Sequence, residues 1–130
     1  VTIAIQSSMF SALSGYAGVS ALVGSRCYPD VAPQDVARPF VVWQEISLIP
    51  TMDMNGTAES NSLNNYRIQV TSWATKATSA RDLDAQVRLA MNAVAASVFK
   101  ALLTDSRSLG FEPDTKLFGI QSDFSVWLKT

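Results

Sequence analysis

The chain has 130 residues, 48% of them apolar and only 16% charged, with 10 basic against 11 acidic side chains and a formal net charge of -1. That length supports one core and predicts a single domain over residues 1–130, while the balanced charge argues against tight binding to a phosphate backbone. The absence of histidine removes most catalytic triads and zinc sites, and so lean a charge content leaves neutral surface to be covered, either by self-assembly or by a Ser/Thr/Asn-rich monomer exterior.

Ile5, Met9, Phe10, Leu13 and Ala17 recur at helical spacing, Gly15 and Gly18 interrupt them, and a short apolar segment runs from Val19 to Val23. The pattern predicts a helix, a break and a short second helix, closed by Gly24 as a C-terminal cap. Arg26 to Tyr28 reads as a short extended piece stopped by Pro29. Within it Cys27, the one cysteine, is a small apolar strand residue; it has no intrachain partner and no histidine to activate it. Pro29 to Pro39 holds three prolines and no periodicity, so it reads as an ordered connector.

Phe40 to Leu48 is β-branched and aromatic and predicts a central strand, with Phe40, Val42, Gln44, Ile46 and Leu48 on one face and Val41, Trp43, Glu45 and Ser47 on the other. Pro50 to Asn65 lacks a sustained apolar pattern and reads as a long loop. Tyr66, Ile68 and Val70 then alternate with Arg67, Gln69 and Thr71, so Phe40 to Trp73 forms a long hairpin. Ser79 and Asp82 have the spacing of a capping box, with Asp in place of Glu, ahead of Leu83, Val87, Met91, Val94 and Val98. Burying that stripe contributes roughly 8 to 15 kcal/mol before entropy is subtracted, enough to lay the helix flat on the sheet. Arg81, Asp84, Arg88 and Asn92 are then expected to face outward. Leu102 to Glu112 reads as a further strand and Glu112-Pro113-Asp114 as a turn. Phe118, Ile120, Phe124, Val126 and Leu128 return to period two in a last strand.

The elements define an α+β fold: an antiparallel sheet of about four or five strands with a long β-hairpin and helices packed on one face. Trp43, Trp73 and Trp127 fall on the other face of the sheet, or lie against the N-terminal helix.

No residue pattern here predicts an enzyme, a cofactor or a metal. The serines form no nucleophile elbow and no Ser-x-x-Lys. Asp82 and Asp84 stand two apart on a helix and point in different directions. Asp53, Asn55 and Glu59 lack calcium-loop spacing, and Gly15, Gly18 and Gly24 make no phosphate-binding fingerprint. No secretory pattern opens the sequence and no apolar run reaches membrane-spanning length, which predicts a soluble protein made in the cytoplasm and no membrane partner.

One ordered set of short motifs runs through the chain: Arg26-x-Tyr28-Pro29, Ala32-Pro33-Gln34, Pro39-Phe40-Val41-Val42, and Tyr66-Arg67-Ile68-Gln69-Val70 leading through Trp73-Ala74 to a helix at Leu83 to Met91. In order and spacing it resembles the tail-completion (tail terminator) family of long-tailed bacteriophages and gene transfer particles. The stretch from Lys100 to Thr130 carries no matching motif. The resemblance implies a virion protein of the head-tail junction that forms a hexameric ring on the head-facing end of the tail tube. It implies that this ring stops polymerisation and docks a head-closure (stopper) protein. The tail tube protein is then a partner, and DNA passes through the channel without specific binding. Rings need a heterologous interface, which strand edges or the long hairpin could supply by sheet extension. Met52, Asp53, Met54, Asn55, Gly56, Glu59 and Asn61, in the polar loop, are the candidate interface residues, with Asp53 and Glu59 able to face the channel instead. A connector or head-closure adaptor ring, and a small non-enzymatic cytoplasmic binding domain, are the competing readings of the same residues.

Overall fold

Stretches of period-two apolar sequence form strands and stretches of period 3.6 form helices in the computed structural model of the protein, which describes residues 2–33, 36–50, 63–94 and 99–129. In chain order these are α1 (Thr2–Ser14), α2 (Ala17–Val23), β1 (Cys27–Pro29), β2 (Phe40–Pro50), β3 (Leu63–Ala74), α3 (Ala77–Ala93), β4 (Lys100–Glu112) and β5 (Leu117–Lys129). The expected break separates α1 from α2. Gly24 ends α2 at φ 61°, a left-handed value that a side chain would strain, and its N–H donates to the Ser20 carbonyl at 2.8 Å.

The strands form one sheet in the order β1-β2-β3-β5-β4. Every pairing is antiparallel except that of β1, which runs parallel to β2 with Cys27 beside Val41 and Pro29 beside Trp43. A parallel neighbour cannot be joined by a tight turn, and the proline-rich connector provides the return path. The hairpin of β2 and β3 pairs Phe40 with Trp73, as the two apolar runs require. β3 and β5 pair without interruption from Leu63↔Lys129 to Ala74↔Phe118. The flanking strands are less regular: β2 shifts register between Glu45 and Ser47, and β4 between Leu103 and Asp105 and again between Ser108 and Gly110.

All three helices cover one face. Met9 and Leu13 of α1, Val19 and Val23 of α2, and Leu83, Val87 and Met91 of α3 are buried in one cluster with Val41, Trp43, Tyr66, Ile68, Val70, Phe124 and Val126 of the sheet. Three-residue and four-residue spacing on the helices meets two-residue spacing on the strands, which is what closes a two-layer core.

Of the two places open to Trp43, the structure takes the one against the N-terminal helix: it is buried, with its ring centroid 6.5 Å from that of Phe10 in α1. Four expectations are corrected. α3 starts at Ala77, with Lys76 as a cap residue that makes no side-chain cap bond, so Ser79 lies inside the first turn and no capping box forms. The Ala80 N–H already reaches the Lys76 carbonyl at 3.0 Å, which starts the helix ahead of the serine. Asp84 is buried and Arg88 half-buried, where both were expected to face water. The third and fourth corrections concern strand length: β2 extends to Pro50 and β3 begins at Leu63, so Asn64 and Asn65 belong to a strand. Val98 lies outside the described residues.

Candidate assembly surfaces

Arg26, Tyr28, Pro29, Pro39 and Phe40 converge where the connector meets β2. The Arg26 Nε donates to the Pro39 carbonyl at 2.9 Å, and the Arg26 carbonyl accepts from the Val41 N–H at 3.0 Å. Its guanidinium thus fixes where β2 begins, and Pro39 enters through a cis bond after Arg38. Tyr28 sits in β1 beside Val42, and Pro29 ends that strand, after which the Asp30 N–H donates to the Trp43 carbonyl at 2.8 Å. Pro33, Phe40 and Trp73 line a shared recess of about 530 Å³ at this end of the sheet. Tyr66 and Leu83 are buried in the core instead. The motif residues therefore divide into a connector clamp and core packing. Gln34 and the whole set Met52, Asp53, Met54, Asn55, Gly56, Glu59 and Asn61 lie outside the described residues.

Under α3 a polar seam replaces apolar packing. Asp84 accepts from the Ser122 hydroxyl at 2.6 Å through Oδ1 and pairs with Arg88, one turn on, at 2.8 Å through Oδ2. Arg88 Nη2 also donates to the Ser106 Oγ. A buried carboxylate needs such partners, and here they tie α3 to both β5 and β4.

Because Ser122 meets α3, its chain neighbours Gln121 and Asp123 point to the open face. That face is polar in its middle. Asp123 is 1% exposed although no helix covers it. Gln69 Nε2 donates to its carboxylate at 3.1 Å, and Arg67 and Arg107 at 3.3 Å each. Thr104 donates to its carbonyl at 3.1 Å. Burial pushes the Asp123 carboxyl up, but the hydrogen bonds from Gln69, Arg107 and Arg67 outweigh it and hold the carboxyl below its ordinary value. Arg107 is also paired with Asp105 at 2.8 Å and donates to Gln121. Both guanidiniums on this face are thus matched by carboxylates. Beside the network Trp73 lies across Gly119, where an added Cβ would stand 2.7 Å from the indole ring. Trp127, next to Asn65, is half-exposed on the same face.

The sheet borders are the third surface. Leu102, Leu103, Leu109 and Phe111 on β4 and Ile46, Leu48 and Ile49 on β2 are exposed apolar side chains at opposite edges. The sequence showed these residues, Ile49 apart, as strand formers but not that their strands would lie at the borders, since strand order is set by long-range pairing.

The sheet is backed by helices on one side, its open face has its guanidiniums paired with carboxylates, and its borders gather exposed apolar side chains of the kind that contact with other proteins covers. The family model for tail completion protein gp17 matches residues 7–129, and the chain belongs to that family, a structural component of the virion tail. Among solved structures, a chain of the virion of a native gene transfer agent (GTA) particle is similar with a TM-score of 0.78 at 17% identity, over 100% of this chain and 98% of that one. At that identity the likeness shows the fold. No curated protein matches the chain. Among the described residues no group of His, Cys, Asp and Glu could hold a metal ion, and no helix is long and apolar enough to cross a membrane.

Proposed function

We propose that this tail protein is the terminator: a hexameric ring at the head-proximal end of the tail tube that stops tube polymerisation and offers the surface to which the head-closure protein joins. The family match over residues 7–129 carries this reading, and the fold it shares along its whole length with a chain of a gene transfer particle virion supports it. Its role is structural and not enzymatic. The partners are further copies of this chain, the tail tube protein and the head-closure protein. Matched charges on the open face favour passage of DNA without specific binding, because guanidiniums already paired with Asp123 and Asp105 have little attraction left for phosphate. The segment from Met52 to Asn61 joins the two strands of the hairpin and is the candidate contact to a neighbour, supported by its polar sequence.

The test is the mass of the purified protein, alone and with its cognate tube protein, by light scattering, with electron microscopy of any tubes. Tubes of limited length capped by a ring at one end are expected. Tubes that grow unchanged while this protein stays unbound would refute the terminator role and favour a connector between other head and tail parts.

A further inference from the structure

The two borders of the sheet are open to different extents. β1 covers β2 only at Val41 to Trp43, so beyond Gln44 β2 is itself the border on that side. β4 is the border on the other side along its full length. A border strand presents unpaired N–H and C=O groups, and a chain that stays alone blunts them with bulges, charge or a cover. Between the bulges the pairing stays regular; past its bulge β2 runs regularly over Ser47–Pro50, and at the same end of the sheet β4 does so over Lys100–Leu103. Among the described residues no strand lies outside either stretch. Each carries apolar side chains into solvent: Leu48 and Ile49 are 40% and 60% exposed, Leu102 and Leu103 64% and 37%.

Their placement is complementary. Pairing across the sheet sets Ser47, Arg67, Ser125 and Leu102 in one row and Leu48, Tyr66, Val126 and Ala101 in the next, so the two stretches stand at the same height. They also run in opposite directions, since three antiparallel pairings separate β2 from β4. Rotation about an axis along the strands preserves both height and direction. A neighbour generated by that rotation therefore brings its β2 antiparallel to β4 with no rise along the axis, the condition for a closed ring and not a filament. Helices add a layer about 8–10 Å thick to one face, which fits the larger outer circumference and would obstruct the inside.

We infer that Lys100–Leu102 of one copy pairs antiparallel with Ser47–Ile49 of the next, continuing the sheet around the ring, with the open face of Arg67, Gln69, Arg107 and Asp123 lining the channel. The inference rests on the ring reading above and names its interface. β1 limits the junction to one end of the sheet: Pro29, beside Trp43, has no N–H to offer a further strand.

The experiment is disulfide trapping in the double variant Ser47→Cys/Leu102→Cys, alone and assembled with the tube protein. Within one copy the two positions are three strand spacings apart, roughly 14 Å, too far for a disulfide. Cys27 does not compete, being buried with its thiol pushed up to about 11. Oxidation is expected to give a head-to-tail ladder of linked chains up to the closed ring, absent from either single variant. A two-residue slip keeps the same face, so Ile49→Cys/Leu102→Cys is run beside it, and a ladder from either pair supports the inference. Rings visible by electron microscopy that neither pair links would overturn the edge pairing and leave the ring. Failure to form a ring with tube protein would overturn both. Dimers from Leu102→Cys alone would also overturn it, since they mean a two-fold contact of β4 with itself. As a second variant, Leu102→Lys is expected to keep the melting temperature and to weaken ring assembly at least tenfold; assembly at the wild-type level would count against the junction.

Discussion

Replacing Asp123 by alanine tests whether the open face is held by a single carboxylate. Its side chain receives three hydrogen bonds, from Gln69 of β3, Arg67 of β3 and Arg107 of β4, and is 1% exposed. A hydrogen bond to a charged group is worth about 1.5–3 kcal/mol when both partners are buried. Arg67 and Arg107 are 58% and 42% exposed, can return to water, and so count for well under that. Arg107 also keeps Asp105. The expected loss is therefore about 2–3 kcal/mol in total, mostly from Gln69 and the emptied space. For a domain of this size that lowers the melting temperature by about 7–10 °C. Scanning calorimetry at pH 7 measures it, with Asp123→Asn as a shape-preserving control expected to lose about half as much. The pH dependence has a fixed sign. A carboxyl held below its ordinary value contributes fully above about pH 4, where an unfolded aspartate is ionised, and loses that contribution as pH falls through the lower folded value. The gap between wild type and Asp123→Asn is thus expected to persist from neutral pH to about pH 5 and to close in stronger acid. An alanine variant melting within about 2 °C of wild type at pH 7 would refute the view that this network holds β3, β4 and β5 together.

Gly119→Ala places a methyl 2.7 Å from the Trp73 ring and is expected to destabilise by about 1–3 kcal/mol in urea unfolding, with a change in tryptophan fluorescence. Leu83→Ala, in a fully buried site beneath α3, is expected to lose about 2–5 kcal/mol in the same assay. Cys27 should resist a thiol reagent at pH 8 while the chain is folded and react at once in denaturant, since burial removes access and pushes its thiol up to about 11; fast modification of the native protein would contradict its place in the core.

What the sequence made legible was local. The hairpin ends, Phe40 opposite Trp73, follow from two apolar runs of period two, and the α3 stripe of Leu83, Val87 and Met91 from period 3.6. Misreadings arose where a residue's surroundings are set by another element. Asp84 looked outward because its own helix face is polar, and only Ser106 and Ser122, more than twenty residues further along the chain, explain its burial. Asp123 could not be singled out for the same reason: its partners come from β3 and β4. The border position of Leu102 depends on β5 inserting between β3 and β4, and that of Ile49 on β1 covering β2 only as far as Trp43; no periodicity encodes either.

That insertion also bears on how the protein folds. β4 precedes β5 in the chain yet lies outside it in the sheet, so β4 has no neighbour to join until Leu117–Lys129 has been made. The β3–β5 contact spans some fifty residues of chain, and such non-local pairing is slow because loop closure precedes its reward. A chain growing from the ribosome would hold its helices and hairpin as a partial core and complete the sheet in one late step. An apolar strand suited to meeting other copies would then acquire its ordered form only in complete molecules, and a chain broken off at Glu112 would carry that strand without the framework that aligns it.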